Sequence, residues 1–252
     1  MAVAIAVYAR EHLRGVALPV ASAISEGVKF AELTDVVRRF RELVGDELAE
    51  ELDKVFDKAL AEEVRKALNS ENLGHELPDL VMRFWARISL PLVELSTKLS
   101  TLLADSRALE LVKSVELDLG RILAKVIKGS GYRYAEDLVY GLSVLIDRDI
   151  WILERTASYG FDGVVKRFIE RGLEPLLNLA GYTMYLTFAW VSATAAVLGL
   201  VKEFREDDRD TLARWCREYA KELESYMDTL DLLLDDEVYS DLIELGVVKR
   251  QT

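Results

Sequence analysis

The sequence predicts an all-α protein, and three observations support this. Apolar residues recur at three- and four-residue spacing along most of the 252 residues, which is the spacing of one helix face. No stretch alternates apolar and polar residues between hairpin turns, as a strand would. Hydrophobic residues make up 51% of the chain and charged residues 30%, a balance typical of a folded chain that buries a core. We expect a multi-helix bundle of roughly ten helices.

The expected helices follow one another closely along the chain. In the segment 45–70, Leu48, Leu52 and Val55 lie on one apolar stripe, and Asp46 stands at the N-cap position. In the segment 105–131 the same spacing runs as far as Gly129, where the helix should end. The remaining helices are expected near residues 3–13, 17–28, 31–44, 78–104, 134–158, 163–171, 175–206, 208–234 and 236–245.

The prolines and the connections complete this organisation. Pro78 and Pro175 stand where a first helical turn tolerates proline. Pro91 falls inside a helical pattern and should kink or split it. Every connection is short and none resembles a Pro/Ser-rich linker, so we predict a single domain over residues 1–252. The loop near 69–77 is the place best suited to a boundary.

The uncharged run from Pro175 to Val201 is long enough to span a bilayer, which takes about 20 residues. Its composition favours the interior of a soluble protein instead. Asn178, Tyr182 and Tyr185 begin a stripe of polar and small residues at three-and-four spacing, and such residues belong where other helices approach closely. We therefore expect no membrane span, and we place the central apolar helix of the bundle at about 175–206.

Charge and composition exclude some functions and favour a compartment. The formal net charge is −12 without a dense basic patch, so a dedicated nucleic-acid binder is not expected. Cys216 is the single cysteine, which favours the reducing cytoplasm. One glutamine and three asparagines stand against many ionic side chains, a pattern expected of a thermophile.

The residues that usually carry catalysis are scarce. His12 and His75 are the only histidines, and neither has the spacing of a helical metal site. Cys216 lies in a helical pattern between Trp215 and Arg217, where a packed small hydrophobe is the simplest interpretation. We predict no catalytic residue and no cofactor.

One acidic pattern suggests a metal site as an alternative. Glu224, Asp228, Asp231 and Asp235 recur at 4-3-4 spacing and form a carboxylate column on one helix face. Asp228, Asp231 and Asp235 are the candidate ligands, because paired helical carboxylates can hold Mg²⁺ on a diphosphate. The preferred interpretation is a solvated acidic face that caps the short helix at 236–245. Replacing Asp228 and Asp231 by Asn should then leave stability level or slightly raised.

A second pattern suggests a polar pocket. Asp147, Arg148 and Asp149 are surrounded by apolar residues in the helix 134–158, and buried charges must be paired. The preferred interpretation is a structural ion-pair network. The alternative is a pocket between these charges and the polar stripe that Asn178, Tyr182 and Tyr185 begin.

The function predicted from the sequence is a non-enzymatic helical interaction or scaffold protein. Its expected partner is another protein or a second copy of itself, so we expect a homo-oligomer or a hetero-complex. Two alternatives stay open. One is an Mg²⁺-dependent helical enzyme acting on a diphosphate through the acidic C-terminal helices. The other is a helical bundle that binds a small molecule or lipid beside the 175–201 helix.

Overall fold

The computed structural model describes residues 35, 38–39, 41–42, 45–47, 58–73, 75–87, 106–171, 174–198 and 204–245. About 90% of this described part is helical, and it contains no strand, so the all-α prediction is confirmed. The expected helices at 3–13 and 17–28, and the proline kink at Pro91, lie outside the described residues. The helices in the described part are α1 Lys58–Leu68, α2 75–87, α3 Ser106–Gly129, α4 Ala135–Tyr159, α5 Phe161–Arg171, α6 Glu174–Val197, α7 Glu206–Leu234 and α8 Asp236–Glu244.

Helix α4 packs against α3, α6 and α7, and α6 packs along α7. Helices α4 and α7 run parallel, because Asp137 pairs with Arg217 near one end and Trp151 contacts Asp231 near the other. Helix α3 runs antiparallel to α4, as the ion pair between Lys113 at its start and the later part of α4 requires. The short helix α5 contacts both α4 and α7, and the short helix α8 contacts α7.

Helix α6 is strongly apolar, and every residue from Leu186 to Ala196 is buried. The indole of Trp190 donates a 2.8 Å hydrogen bond to the carbonyl of Leu138 in α4. Gly141 of α4 faces this contact: a Cβ there would lie 3.4 Å from side-chain atoms of Leu186, Trp190 and Cys216. Within the described ranges, no helix is both long and apolar enough to cross a membrane.

The end of α6 differs from the prediction. The helix stops at Val197, and the chain is not helical at residues 204 and 205, so the expected helix to 206 is too long. The sequence carries Gly199 just after this end, where glycine commonly terminates helices. Helix α7 then starts anew, because the carboxylate of Asp208 accepts a 2.9 Å hydrogen bond from the backbone N–H of Arg205.

Candidate functional site

The carboxylate column of Glu224, Asp228, Asp231 and Asp235 divides among several structural roles. Asp231 accepts a 2.7 Å hydrogen bond from the indole of Trp151 and bonds of 2.9 and 2.6 Å from the guanidinium of Arg155. Glu224 accepts a 2.7 Å hydrogen bond from the hydroxyl of Tyr140. All of these donors belong to α4, so the two carboxylates join α7 to its parallel neighbour.

The other two members of the column, Asp228 and Asp235, have no hydrogen bond or ion pair with α4 in the described part of the chain. Asp235 caps α8, because its side chain accepts 2.9 Å hydrogen bonds from the backbone N–H groups of Glu237 and Val238. The predicted capping role is thereby confirmed for Asp235. Asp228 is exposed. Across the described ranges, no group of three His, Cys, Asp or Glu side chains is placed to hold a metal ion.

The charges Asp147, Arg148 and Asp149 also separate. Arg148 and Asp149 form a 2.7 Å ion pair with side chains only 14% and 19% exposed, so the predicted burial holds for them. It does not hold for Asp147, which is exposed. Partial burial still raises the pKa of Asp147, and the nearby Glu224 carboxylate adds to this.

Glu116 of α3 is buried near this ion pair. Its side chain is 8% exposed, and its Oε2 atom has no hydrogen-bond partner. The pKa of Glu116 is raised to about 7, mainly by burial; the charge of Asp149 acts in the same direction, and Arg148 opposes the shift. The predicted ion pairing is thus shown for Arg148 and Asp149, and the charges of both act on the buried carboxyl of Glu116.

Asn178, Tyr182 and Tyr185 face α7 and engage tyrosines there. The amide of Asn178 donates a 3.2 Å hydrogen bond to the hydroxyl of Tyr226. The Tyr182 and Tyr226 rings are stacked, with centroids 5.1 Å apart. Tyr185 and Tyr219 form a second pair at 5.2 Å. Asn178, Tyr182 and Tyr185 thus contact α7, whereas Arg148 and Asp149 pair with each other within α4. The pocket between the two groups stays a prediction.

Two exposed carboxylates accompany the paired tyrosines. We call the tyrosine edge the surface made by Tyr182, Tyr185, Tyr219, Tyr226, Glu218 and Glu222. All four tyrosines are half-buried, and both glutamates are exposed. Helix α7 positions them, because residues three or four apart lie side by side on a helix. Glu222 is three residues after Tyr219 and four before Tyr226.

The electrostatics show that these groups lie close together. Burial raises the pKa of Tyr219 to about 12, with contributions from Tyr185, Glu218 and Tyr182. Burial also raises the pKa of Tyr182, and Glu222 and Tyr226 add to this effect. The surroundings of the Tyr182 and Tyr219 hydroxyls therefore disfavour further negative charge.

Four aromatic rings elsewhere in the described part have an arginine over them. Distances from the guanidinium carbon to the ring centroid run from 4.3 to 5.8 Å. The pairs are Arg133 with Tyr134, Arg155 with Trp151, Arg167 with Tyr159, and Arg171 with Tyr239. No such cation lies over the four rings of the tyrosine edge among the described residues. Its rings pack against one another in two pairs, and its two glutamates are exposed.

Two of the four tyrosines in this surface belong to a pattern that the sequence predicts. Tyr182 and Tyr185 belong to the predicted polar stripe, whereas Tyr219 and Tyr226 were not singled out. A signal was present: the two tyrosines are seven residues apart, so they share one face of α7, with Glu222 between them. What the sequence did not reveal is that this face meets α6.

The other features of the described part are less specific. Cys216 is fully buried, and burial raises the pKa of its thiol well above 9.0, which confirms it as a packed small side chain. His75 is exposed, and His12 lies outside the described residues. A surface depression of about 220 Å³ between α1 and α2 carries charges of both signs, including Glu63 and Arg83 at 3.7 Å.

Comparison with known proteins gives no family for the chain. No protein-family model matches it. No curated protein and no solved structure matches it. The tyrosine edge is therefore judged on its geometry and chemistry alone.

Proposed function

We propose that the chain is a non-enzymatic protein-interaction or scaffold protein, and that the tyrosine edge is its binding surface. The supporting observation is the grouping of four half-buried tyrosines with exposed carboxylates of Glu218 and Glu222 that have no counter-ion among the described residues. Tyrosine is enriched at protein interfaces because it gives a large, rigid contact area and keeps a hydroxyl for hydrogen bonding.

The other charged groups of α7 support this choice by contrast. Asp231, Glu224 and Arg217 are all engaged by α4, so they have less capacity left for a ligand. A diphosphate enzyme would need free carboxylates that converge on a metal ion. The engagement of Asp231 and the capping role of Asp235 favour the interaction protein over that alternative.

One observation favours the small-molecule bundle as a second candidate. The hydroxyls of Thr187, Ser192 and Thr194 in α6 are buried and have no hydrogen-bond partner. Buried polar groups are normally satisfied, by protein, water or ligand. Native mass spectrometry of the purified protein tests this candidate, which requires a bound small molecule that denaturation releases.

The composition also favours a cellular compartment and a growth temperature. We propose a cytoplasmic protein of a thermophile, organised as roughly ten helices around α6 as the central helix. The single cysteine, the scarcity of amide side chains and the burial of residues 186–196 support this. Self-association through the tyrosine edge would make a homo-oligomer.

Site-specific photo-crosslinking tests the proposed surface. A photoreactive residue replaces Glu222 in one variant and Asp228 in a control, and both full-length variants are illuminated in lysate of the source cell. We expect a discrete crosslinked product, with a partner protein or a second copy, from position 222 and not from position 228. Absence of any product at position 222, or equal products at both positions, would contradict the proposal.

A further inference from the structure

The tyrosine edge has the chemistry of a surface that receives organic cations. The face of an aromatic ring carries partial negative charge and attracts ammonium and guanidinium groups. Glu222 lies beside Tyr182, whose pKa it raises, and Glu218 lies beside Tyr219 in the same way. Ring faces and carboxylates thus present negative potential together.

We infer that the tyrosine edge binds a basic segment of a partner protein, whose Lys and Arg side chains lie over the tyrosine rings and pair with Glu222 and Glu218. This inference rests on the proposed function and names the class of partner. The net charge of −12 adds long-range attraction for such a segment. Along the chain, Lys221 is the basic residue nearest to Glu222 and Arg217 is the one nearest to Glu218. Arg217 pairs with Asp137 at 3.0 Å, and Lys221 forms no ion pair with either glutamate in the described part.

The remainder of the protein shows what such a contact looks like. Arg167 lies 4.3 Å from the ring centroid of Tyr159 and also pairs with Asp236 at 3.1 Å. Arg155 lies over Trp151 while it binds Asp231. In both places one guanidinium contacts a ring and a carboxylate at once. The tyrosine edge supplies the ring and the carboxylate, and the partner would supply the cation.

Other ligand classes fit this surface less well. An anion would meet the carboxylates of Glu218 and Glu222 and tyrosines whose pKa values are already raised. A purely apolar segment would remove those carboxylates from water without a counter-ion, which is costly. A basic segment satisfies the carboxylates and the ring faces together.

Fluorescence anisotropy with the full-length protein tests the inference. The probe is a labelled peptide in which Arg and Lys alternate with Ala, and the reference is the same peptide with Glu in the basic positions. We expect saturable binding of the basic peptide, weakened by salt, and no binding of the acidic one. Glu222→Gln should weaken binding about threefold to fivefold, the range of an exposed ion pair.

Matched variants separate this site from general charge attraction. Asp228→Asn makes the same charge change elsewhere on α7 and should alter affinity less than about twofold. Tyr182→Leu should weaken binding about twofold to fivefold through loss of the ring, whereas Tyr182→Phe should restore it. Melting curves of all variants show that each is folded.

Several results would overturn the inference. Equal loss in Glu222→Gln and Asp228→Asn would reduce the binding to non-specific charge attraction. Failure of the basic peptide to bind, while position 222 still forms a crosslink to a partner, would remove the basic partner and leave the proposed function intact. If the basic peptide does not bind and position 222 forms no crosslink, both the basic partner and the proposed function are contradicted. Binding of free spermine in place of the peptide would assign the surface to a small polyamine and not to a protein.

Discussion

The α6–α7 pair has two sides that use similar residues in opposite ways. On the side that packs against α4, Asp231 is held by Trp151 and Arg155, and Glu224 by Tyr140. On the tyrosine edge, the aromatic rings pair with each other, and the carboxylates of Glu218 and Glu222 are left exposed.

The difference shows how neighbours decide the role of a residue type. Donors and acceptors of α4 and α7 match: α4 donates to Asp231 and Glu224, and Arg217 of α7 donates to Asp137 of α4. Such satisfied hydrogen bonds contribute to stability. Helix α6 contributes tyrosines and small residues to the edge, and these give α7 aromatic contacts but no cation. The α4 side thus stabilises the fold, whereas the carboxylates of the tyrosine edge stay exposed, which is why we propose this edge as the binding surface.

The largest expected effect concerns Glu116, which is buried beside α4. Its pKa is about 7 in the folded protein against an ordinary value of 4.5, so the folded state holds a proton that the unfolded state has lost between these values. The contribution of Glu116 to the free energy of unfolding is therefore fully present below pH 4.5. It falls by about 1.4 kcal/mol per pH unit as the pH rises towards 7. The total is on the order of 3 kcal/mol.

Urea unfolding from pH 4 to pH 8 measures this effect. Glu116→Gln should remove this part of the pH dependence and be more stable than the parent at pH 8. Glu222→Gln is the matched control on the tyrosine edge and should keep the pH dependence of the parent. If Glu116→Gln and the parent give parallel pH profiles, the carboxyl of Glu116 is not protonated by burial.

A pair of glycines compares tight packing with open space. Gly141→Val should destabilise the protein by about 1–3 kcal/mol, because Leu186, Trp190 and Cys216 leave no room for the added methyl groups. Gly181→Val is the matched change in α6, where no atom lies within 4 Å of a new Cβ. It should be neutral or stabilising, since glycine is a poor helix former. Thermal unfolding of both variants decides, and equal melting temperatures would contradict the packing described for α4.

A smaller difference in stability is expected between two members of the carboxylate column, Asp231 and Asp228. Asp231→Asn should cost about 1 kcal/mol, because Trp151 and Arg155 lose a charged acceptor and partial exposure limits the loss. Asp228→Asn should be level or slightly stabilising. The sequence alone predicts a level or raised stability for the double replacement, whereas the partners of Asp231 predict a net loss. Denaturant midpoints of the single variants test this. An Asp231→Asn midpoint equal to that of the parent would support the interpretation of the column as a solvated acidic face.

The smallest expected effect is on the tyrosine edge itself. Glu222→Gln should change stability by no more than a few tenths of a kcal/mol, and any change should be a gain, because the carboxylate has no cationic partner in the described part of the chain. Glu224→Gln, two residues further along α7, weakens an internal hydrogen bond to Tyr140 and should be less stable than Glu222→Gln. Equal destabilisation by the two replacements in low-salt urea titrations would mean that Glu222 has a structural partner.

Much of the fold could be predicted, since helix periodicity is a local property. The spacing of apolar residues placed α7 at 208–234, close to the observed Glu206–Leu234, and α8 at 236–245, close to Asp236–Glu244. The end of α6 was missed by several residues, because an apolar pattern does not stop where a turn begins. Capping by Asp235 was also predictable, because it depends on residues two and three positions ahead.

The candidate site could be predicted only in part, since it depends on contacts between helices. The stripe that Asn178, Tyr182 and Tyr185 begin was visible along one helix. Its partners Tyr219 and Tyr226 are 34 and 44 residues away from Tyr185 and Tyr182, and helix periodicity gives no pairing between helices. For the same reason Asp231 could not be matched to Arg155, 76 residues before it.

Aromatic ¹H–¹³C NMR of the full-length protein tests the central claim most directly, because it observes each tyrosine ring separately. On addition of the alternating basic peptide, we expect the ring signals of Tyr182, Tyr185, Tyr219 and Tyr226 to shift in a saturable way. The signals of Tyr132 and Tyr140, whose hydroxyls are bound to Asp210 and Glu224, should stay in place. Shifts at Tyr132 and Tyr140 with none at the other four, or no shifts at all, would contradict the claim that the tyrosine edge is the binding surface.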